Sequence, residues 1–174
     1  LGASTVLWEL TGEGSCGDAD LGHMMGKVEV VRLQNGAWAA IFGNGYQSSS
    51  GKAVMYIVDA FTGNAISGVP QKIVLEGAAG ANGLSTPGLL FNAKRELVSA
   101  YAGDLRGNLW KVNFANNGAA TVAYSGNPLF IDKDKATQAA FQPIIQRPAL
   151  GVHPKGGYMV MFGTGKYFDT SDQS

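Results

Sequence analysis

Cysteine is nearly absent from this sequence of 174 residues: Cys16 is the only one. A single thiol rules out an internal disulfide framework and a cysteine-rich zinc site within the segment, and leaves a free thiol or a bridge to a cysteine elsewhere in a longer protein. Like-charge runs are also missing. Thirteen basic and thirteen acidic residues give a formal net charge of zero, and nothing gathers the basic patch that a nucleic-acid footprint needs. No stretch of about eighteen apolar residues occurs, so no membrane-spanning helix is expected. The chain begins with Leu1, without a signal-peptide pattern, and reads as a piece of something longer.

Glycine, by contrast, is plentiful, at 25 residues against 45% hydrophobic residues. The glycines stand singly at the ends of apolar runs, which suits many short strands joined by turns. Tyr101-Ala102-Gly103-Asp104-Leu105-Arg106-Gly107-Asn108-Leu109-Trp110-Lys111-Val112 shows the unit: a strand, a tight turn and a second strand. Ile41-Phe42-Gly43-Asn44-Gly45 lies sixty residues upstream, and Met161-Phe162-Gly163-Thr164-Gly165 sixty downstream. A fixed period that returns one supersecondary unit marks a repeat architecture, and an all-β repeat of this length fits the four-stranded antiparallel blades of a β-propeller.

Read in order, residues 1–25 hold the end of one blade, with a short strand at 6–10. A blade at about 26–75 takes strands at 28–33, 37–42, 53–59 and 65–69, with an Asn35-Gly36 hairpin and a Thr62-Gly63 turn. A second blade at about 84–130 takes 88–91, 96–102, 109–114 and 121–124, opening behind Thr86-Pro87. The charged run Ile131-Asp132-Lys133-Asp134-Lys135 reads as a solvated connection, with some helix expected at 135–141. Arg147-Pro148 opens a partial blade at about 146–174, with a turn at His153-Pro154-Lys155-Gly156-Gly157 and a strand at 158–162. The domain is therefore expected to be a segment of a larger propeller.

Chemical motifs are sparse. Gly163-Thr164-Gly165-Lys166 fails as a phosphate loop, because Val160 stands where a Gly is required and Tyr167 where Ser or Thr is required. Gly43-Asn44-Gly45 lacks the third glycine of a dinucleotide fingerprint. His23 and His153 have no second His or Cys nearby, and Ser48, Ser49 and Ser50 lack a nucleophile elbow. Asp18 and Asp20, on a glycine-rich loop, read as turn residues before cation ligands. Trp8, Trp38 and Trp110 are expected to fill the space between blades, while Asp59, Asp104 and Asn108 fix turns through side-chain to backbone bonds.

Several strings together are specific: Trp38-Ala39-Ala40-Ile41-Phe42-Gly43-Asn44-Gly45-Tyr46, Tyr56-Ile57-Val58-Asp59-Ala60, Leu84-Ser85-Thr86-Pro87, the Tyr101 to Lys111 hairpin, and Phe162-Gly163-Thr164-Gly165-Lys166-Tyr167. In this order the chain resembles the C-terminal domain of the PilY/PilC family of type IV pilus biogenesis factors and tip-associated adhesins. The resemblance implies a modified β-propeller, exported to the bacterial surface, outer membrane or pilus tip. There it would work with minor pilins in pilus assembly, twitching and attachment to a host or abiotic surface, without catalysis. Family members often carry a calcium loop of the form Asp-x-Asn/Asp-x-Asp-Gly-x-x-Asp before the Tyr-Ala-Gly-Asp string. Here its ligand positions fall on Leu90, Asn92, Lys94 and Val98. Only Asn92 retains an oxygen donor, so no metal, cofactor or catalytic residue is expected and calcium should act elsewhere if at all. The competing readings are a quinoprotein-type propeller dehydrogenase, since Gly-x-Leu-Trp strands recur in enzymes holding a quinone, and a bare interaction scaffold.

Overall fold

The computed structural model describes residues 5–12, 17–77, 80–132 and 142–167. Strands β1 (Glu29–Arg32), β2 (Trp38–Gly43), β3 (Ala53–Asp59) and β4 (Lys72–Glu76) form an antiparallel sheet in sequence order. The β1–β2 hairpin closes where Gly36, at φ +90°, donates its N–H to Leu33 O. Asn35 Oδ1 accepts the Ala37 N–H at 3.1 Å, the local bond that makes Asn-Gly a hairpin signal.

β2 and β3 are buried on both faces, and because side chains alternate along a strand they serve two cores. Ala39, Ile41, Met55 and Ile57 point into the larger core, shared with Leu89, Leu97, Ala100, Trp110, Val112 and Phe114 of the next sheet. Ala40, Phe42, Val54, Tyr56 and Val58 face the other way and are covered by Trp8, Leu10 and Leu21. Phe42 and Tyr56 are cross-strand partners, their rings stacked at 5.1 Å.

The second sheet runs β5 (Gly88–Phe91), β6 (Leu97–Gly103), β7 (Asn108–Phe114) and β8 (Ala120–Val122), with β9 (Phe130–Ile131) also on β7. Where four strands are expected, five are found. β8 covers only Val112, Asn113 and Phe114, which leaves Asn108 and Leu109 to pair with β9 from the charged connection. β10 (Ala149–Val152) and β11 (Tyr158–Met161) make a two-stranded ladder. The architecture is all-β and antiparallel, and no helix among the described residues is long and apolar enough to cross a membrane.

Four expected strands differ. Residues 6–10 join no ladder; they lie against the first sheet, with Trp8 Nε1 donating to Ala60 O at 3.1 Å. The strand expected at 65–69 is a turn, closed by Val69 N–H on Ile66 O, and the ladder is made instead by Lys72–Glu76. Ile66 and Val69 are apolar because they plug the core, not because they pair. The strand expected at 121–124 stops at Val122, since Tyr124 and Ser125 take left-handed φ of 54° and 55°. That expected at 158–162 ends at Met161. Cys16, Lys133, Asp134, Lys135 and the helix expected at 135–141 lie outside the described residues.

Candidate functional site

The turn after β6 is built on Asp104, which is fully buried. Oδ1 accepts the N–H groups of Arg106 and Asn108, each at 2.9 Å. Oδ2 accepts Asn108 Nδ2 at 2.9 Å, Trp110 Nε1 at 2.8 Å and Asn82 Nδ2 at 3.3 Å. Five donors on one carboxylate satisfy a group that would otherwise be costly to bury. The expected turn-fixing role of Asp104 is seen, and it extends to Trp110 and Asn82, which the sequence reading missed. Asn44, in the equivalent turn after β2, donates to Asp20 O and Lys52 O and accepts from Val54 and Leu84 N–H. Asp59 pins the next turn, where N–H bonds from Thr62 and Phe61 hold its carboxyl below the usual range.

Asp18 and Asp20 do more than shape a loop: both pair with Lys72 of β4. Lys72 Nζ lies 2.9 Å from Asp18 Oδ1 and 2.5 Å from Asp20 Oδ2, with Lys52 Nζ 3.8 Å from Asp20 Oδ1. Burial pushes both carboxyls up, but hydrogen bonds, that of Lys72 foremost, and the nearby lysine charge outweigh it, and they settle below the ordinary value of 3.8. Burial likewise works against the Lys72 cation, yet the two aspartates raise it above 10.5. A lysine ammonium therefore holds the place between these carboxylates.

The remaining sequence-singled residues do not converge. Asn92 caps the β5–β6 turn, its Oδ1 accepting the N–H of Lys94 at 2.9 Å and of Glu96 at 3.0 Å, while Nδ2 donates to Glu96 Oε2. Leu90 lies on β5 and Val98 on β6, half-buried, and Lys94 is exposed. Among the described residues no group of three or more His, Cys, Asp or Glu is placed to hold a metal. His23 bridges Tyr46 while His153 opens the β10–β11 turn, its Nδ1 accepting the Lys155 N–H. Ser48 Oγ is buried without a hydrogen-bond partner among the described residues. Trp110 fills the core between the two sheets as expected. Trp8 covers the outer face of the first sheet, and Trp38, where that face ends, is 47% exposed.

One cavity of about 290 Å³ opens where the segments leading into the three units meet, lined by Gly43, Gly45, Tyr46, Leu84, Thr86 and Tyr167 among others. Burial pushes the Tyr46 phenol up to about 12, so it stays protonated at neutral pH. Among the described residues, Lys27 is the one charged side chain on this wall.

Comparison with known proteins agrees with this arrangement. The family model described as the PilY1 beta-propeller domain matches residues 3–174. A type IV pilus biogenesis factor PilY1 homolog of Xylella fastidiosa is 39% identical over 183 residues, which is 98% of this chain and 12% of that protein. PilY1 of Pseudomonas aeruginosa is 39% identical over 188 residues, 96% of this chain and 15% of its own length. The crystal structure of the Pseudomonas aeruginosa PilY1 C-terminal domain matches with a TM-score of 0.81 at 38% identity, over 97% of this chain and 37% of that one. This chain thus spans well under a fifth of the curated relatives' length, and within that span it belongs to the PilY1 β-propeller domain family of type IV pilus biogenesis factors.

Proposed function

We propose that this domain supports type IV pilus assembly and attachment at the bacterial surface or pilus tip, exported and acting by binding, not by catalysis. The observation that carries the reading is the near full-length match to PilY1 in both sequence and fold. A framework of antiparallel sheets pinned by buried polar groups suits the role, since it holds loops in fixed positions against pulling. Its partners would be minor pilins at the tip and, through other parts of the protein, a host or abiotic surface. The quinoprotein reading has no observation in its favour.

The Asn92 turn belongs to the same proposal. With Asn92 Oδ1 committed to two backbone N–H groups and Lys94 beside it, the hairpin is held by its own bonds and calcium is not needed there.

The test is an in-frame deletion of this domain in the parent bacterium, scored for surface pili and twitching. Loss of both, restored by the wild-type gene and not by one carrying Asp104→Ala, is expected. Normal piliation and twitching after deletion would overturn the assignment.

A further inference from the structure

Four Asn-Gly pairs stand in the sequence: Asn35-Gly36, Asn44-Gly45, Asn82-Gly83 and Asn117-Gly118. Glycine has no side chain to crowd its own backbone nitrogen, so in such a pair that nitrogen can reach the carboxamide carbon of the asparagine before it. The fold closes two of the four. Asn44 and Asn82 are both 0% exposed, and their carboxamides are held on each side. Asn44 donates to Asp20 O and Lys52 O and accepts from Val54 and Leu84. Asn82 Oδ1 accepts the N–H groups of Gly83 at 2.8 Å and Leu105 at 3.0 Å, while Nδ2 donates to Asp104. Asn35 and Asn117, by contrast, are exposed at hairpin turns.

The two open turns lie against each other. Gln34 Nε2 donates to Phe114 O at 2.6 Å, and Asn35 Nδ2 occupies the place where a Cβ on Gly118 would stand. Consecutive amide side chains of the β1–β2 turn therefore clamp the β7–β8 turn, and with it the first sheet to the second. The contact is not symmetrical. Gly118 is buried beneath Asn35 Nδ2, with Val69 Cγ2 3.0 Å from its Cβ position, whereas Gly36 is exposed and nothing lies within 4 Å of its own. Each glycine N–H makes one turn bond, Gly36 to Leu33 O at 3.0 Å and Gly118 to Ala115 O at 2.9 Å. A ring closing on the glycine nitrogen has room at Gly36 and none at Gly118.

We propose that Asn35-Gly36 is a site of spontaneous deamidation, and that its reaction uncovers Asn117-Gly118 as the second. The Gly36 nitrogen attacks Asn35 Cγ, the Cγ–Nδ2 bond breaks, and the N–H proton leaves with Nδ2 as ammonia, giving a succinimide. Water then opens the ring at either carbonyl and leaves aspartate or isoaspartate. The net change exchanges ammonia for water, with no oxidant or enzyme. Both products lose Nδ2, the group that covers Gly118. Isoaspartate also adds a methylene to the backbone of the turn, which breaks the bond from Ala37 N–H to Asn35 Oδ1 and draws Gln34 away from Phe114. The clamp between the first two sheets thus has a limited chemical lifetime. The inference stands on turn chemistry and packing and does not depend on the pilus role.

The test incubates the 174-residue chain in mildly alkaline buffer and follows each Asn-Gly peptide by mass spectrometry, with isoaspartyl methyltransferase labelling to identify the rearranged product. The folded chain should react first at Asn35, then after a lag at Asn117, with Asn44 and Asn82 unchanged. In urea all four should react without order, which assigns the protection to the fold. Asn35→Asp, with its folded state checked by circular dichroism, should abolish the lag and raise the initial rate at Asn117 several-fold. An unreacted Asn35 in a folded chain whose Asn44 or Asn82 has reacted, an Asn117 that reacts ahead of Asn35, or an Asn117 rate unchanged in Asn35→Asp would overturn the proposal.

Discussion

Trp110 Nε1 donates to Asp104 Oδ2 at 2.8 Å, tying the middle of β7 to the turn that precedes it. The indole is buried in the core shared by the two sheets while its one polar atom is satisfied. The same oxygen receives Asn82 from the segment ahead of β5, so one carboxylate joins a turn, a strand and the lead-in of the unit.

Asp104→Ala should therefore destabilise the domain by about 3 kcal/mol, because it strands several buried donors at once. Asp104→Asn keeps the shape but turns an N–H₂ toward donors, and about 1–2 kcal/mol is expected. Urea unfolding checks both; equal midpoints for wild type and Asp104→Ala would refute the hub.

The Lys72 cluster predicts a pH profile. Asp18 and Asp20 are shifted down, so their contribution is present above the ordinary value of 3.8 and fades as pH falls through their lower folded values. Lys72 is shifted up, so its contribution is intact below 10.5 and is lost as pH rises beyond it. Thermal unfolding should be flat between these limits and decline on each side. Lys72→Met should cost about 1 kcal/mol, the pair being partly solvated, and should flatten the acid limb.

Glycine substitutions should separate the three units. Gly43→Ala and Gly103→Ala place a Cβ within 2.4 Å of neighbouring backbone and should each cost on the order of 2–3 kcal/mol. Gly163→Ala meets nothing within 4 Å and should stay within about 0.5 kcal/mol of wild type. Comparable losses at all three positions would count against the repeat geometry.

Calcium titration of the purified domain should give no heat assignable to the β5–β6 turn. Asn92→Ala should lower stability by about 1 kcal/mol through loss of the turn bonds, by the same amount with calcium as with chelator. A stabilisation by calcium that vanishes in Asn92→Ala would reverse the proposal.

Much of the fold was legible because it depends on local chemistry. Gly36 and Gly107 turn the chain at positive φ, and the apolar runs around Ile41, Ile57 and Ala100 are continuous because both sides of those strands are covered. Misreadings arose where apolar character serves a different purpose. Val6 to Leu10 has strand composition without a ladder partner, Ile66 and Val69 plug a core from a turn, and Phe130–Ile131 is too short for a period of two to register.

The sequence by itself determined the class of element, the sixty-residue recurrence of glycine and the family, since side-chain alternation, turn conformers and strings of residues are properties of neighbours in the chain. Tertiary structure decided the partners: Lys72 for Asp18 and Asp20, 54 and 52 residues away, Asn82 for Asp104, and Leu84 and Ile144 for two of three equivalent glycines. Hydrogen bonds and packing act over a few ångströms of space, and no spacing along the polypeptide states which distant groups will be brought within that range.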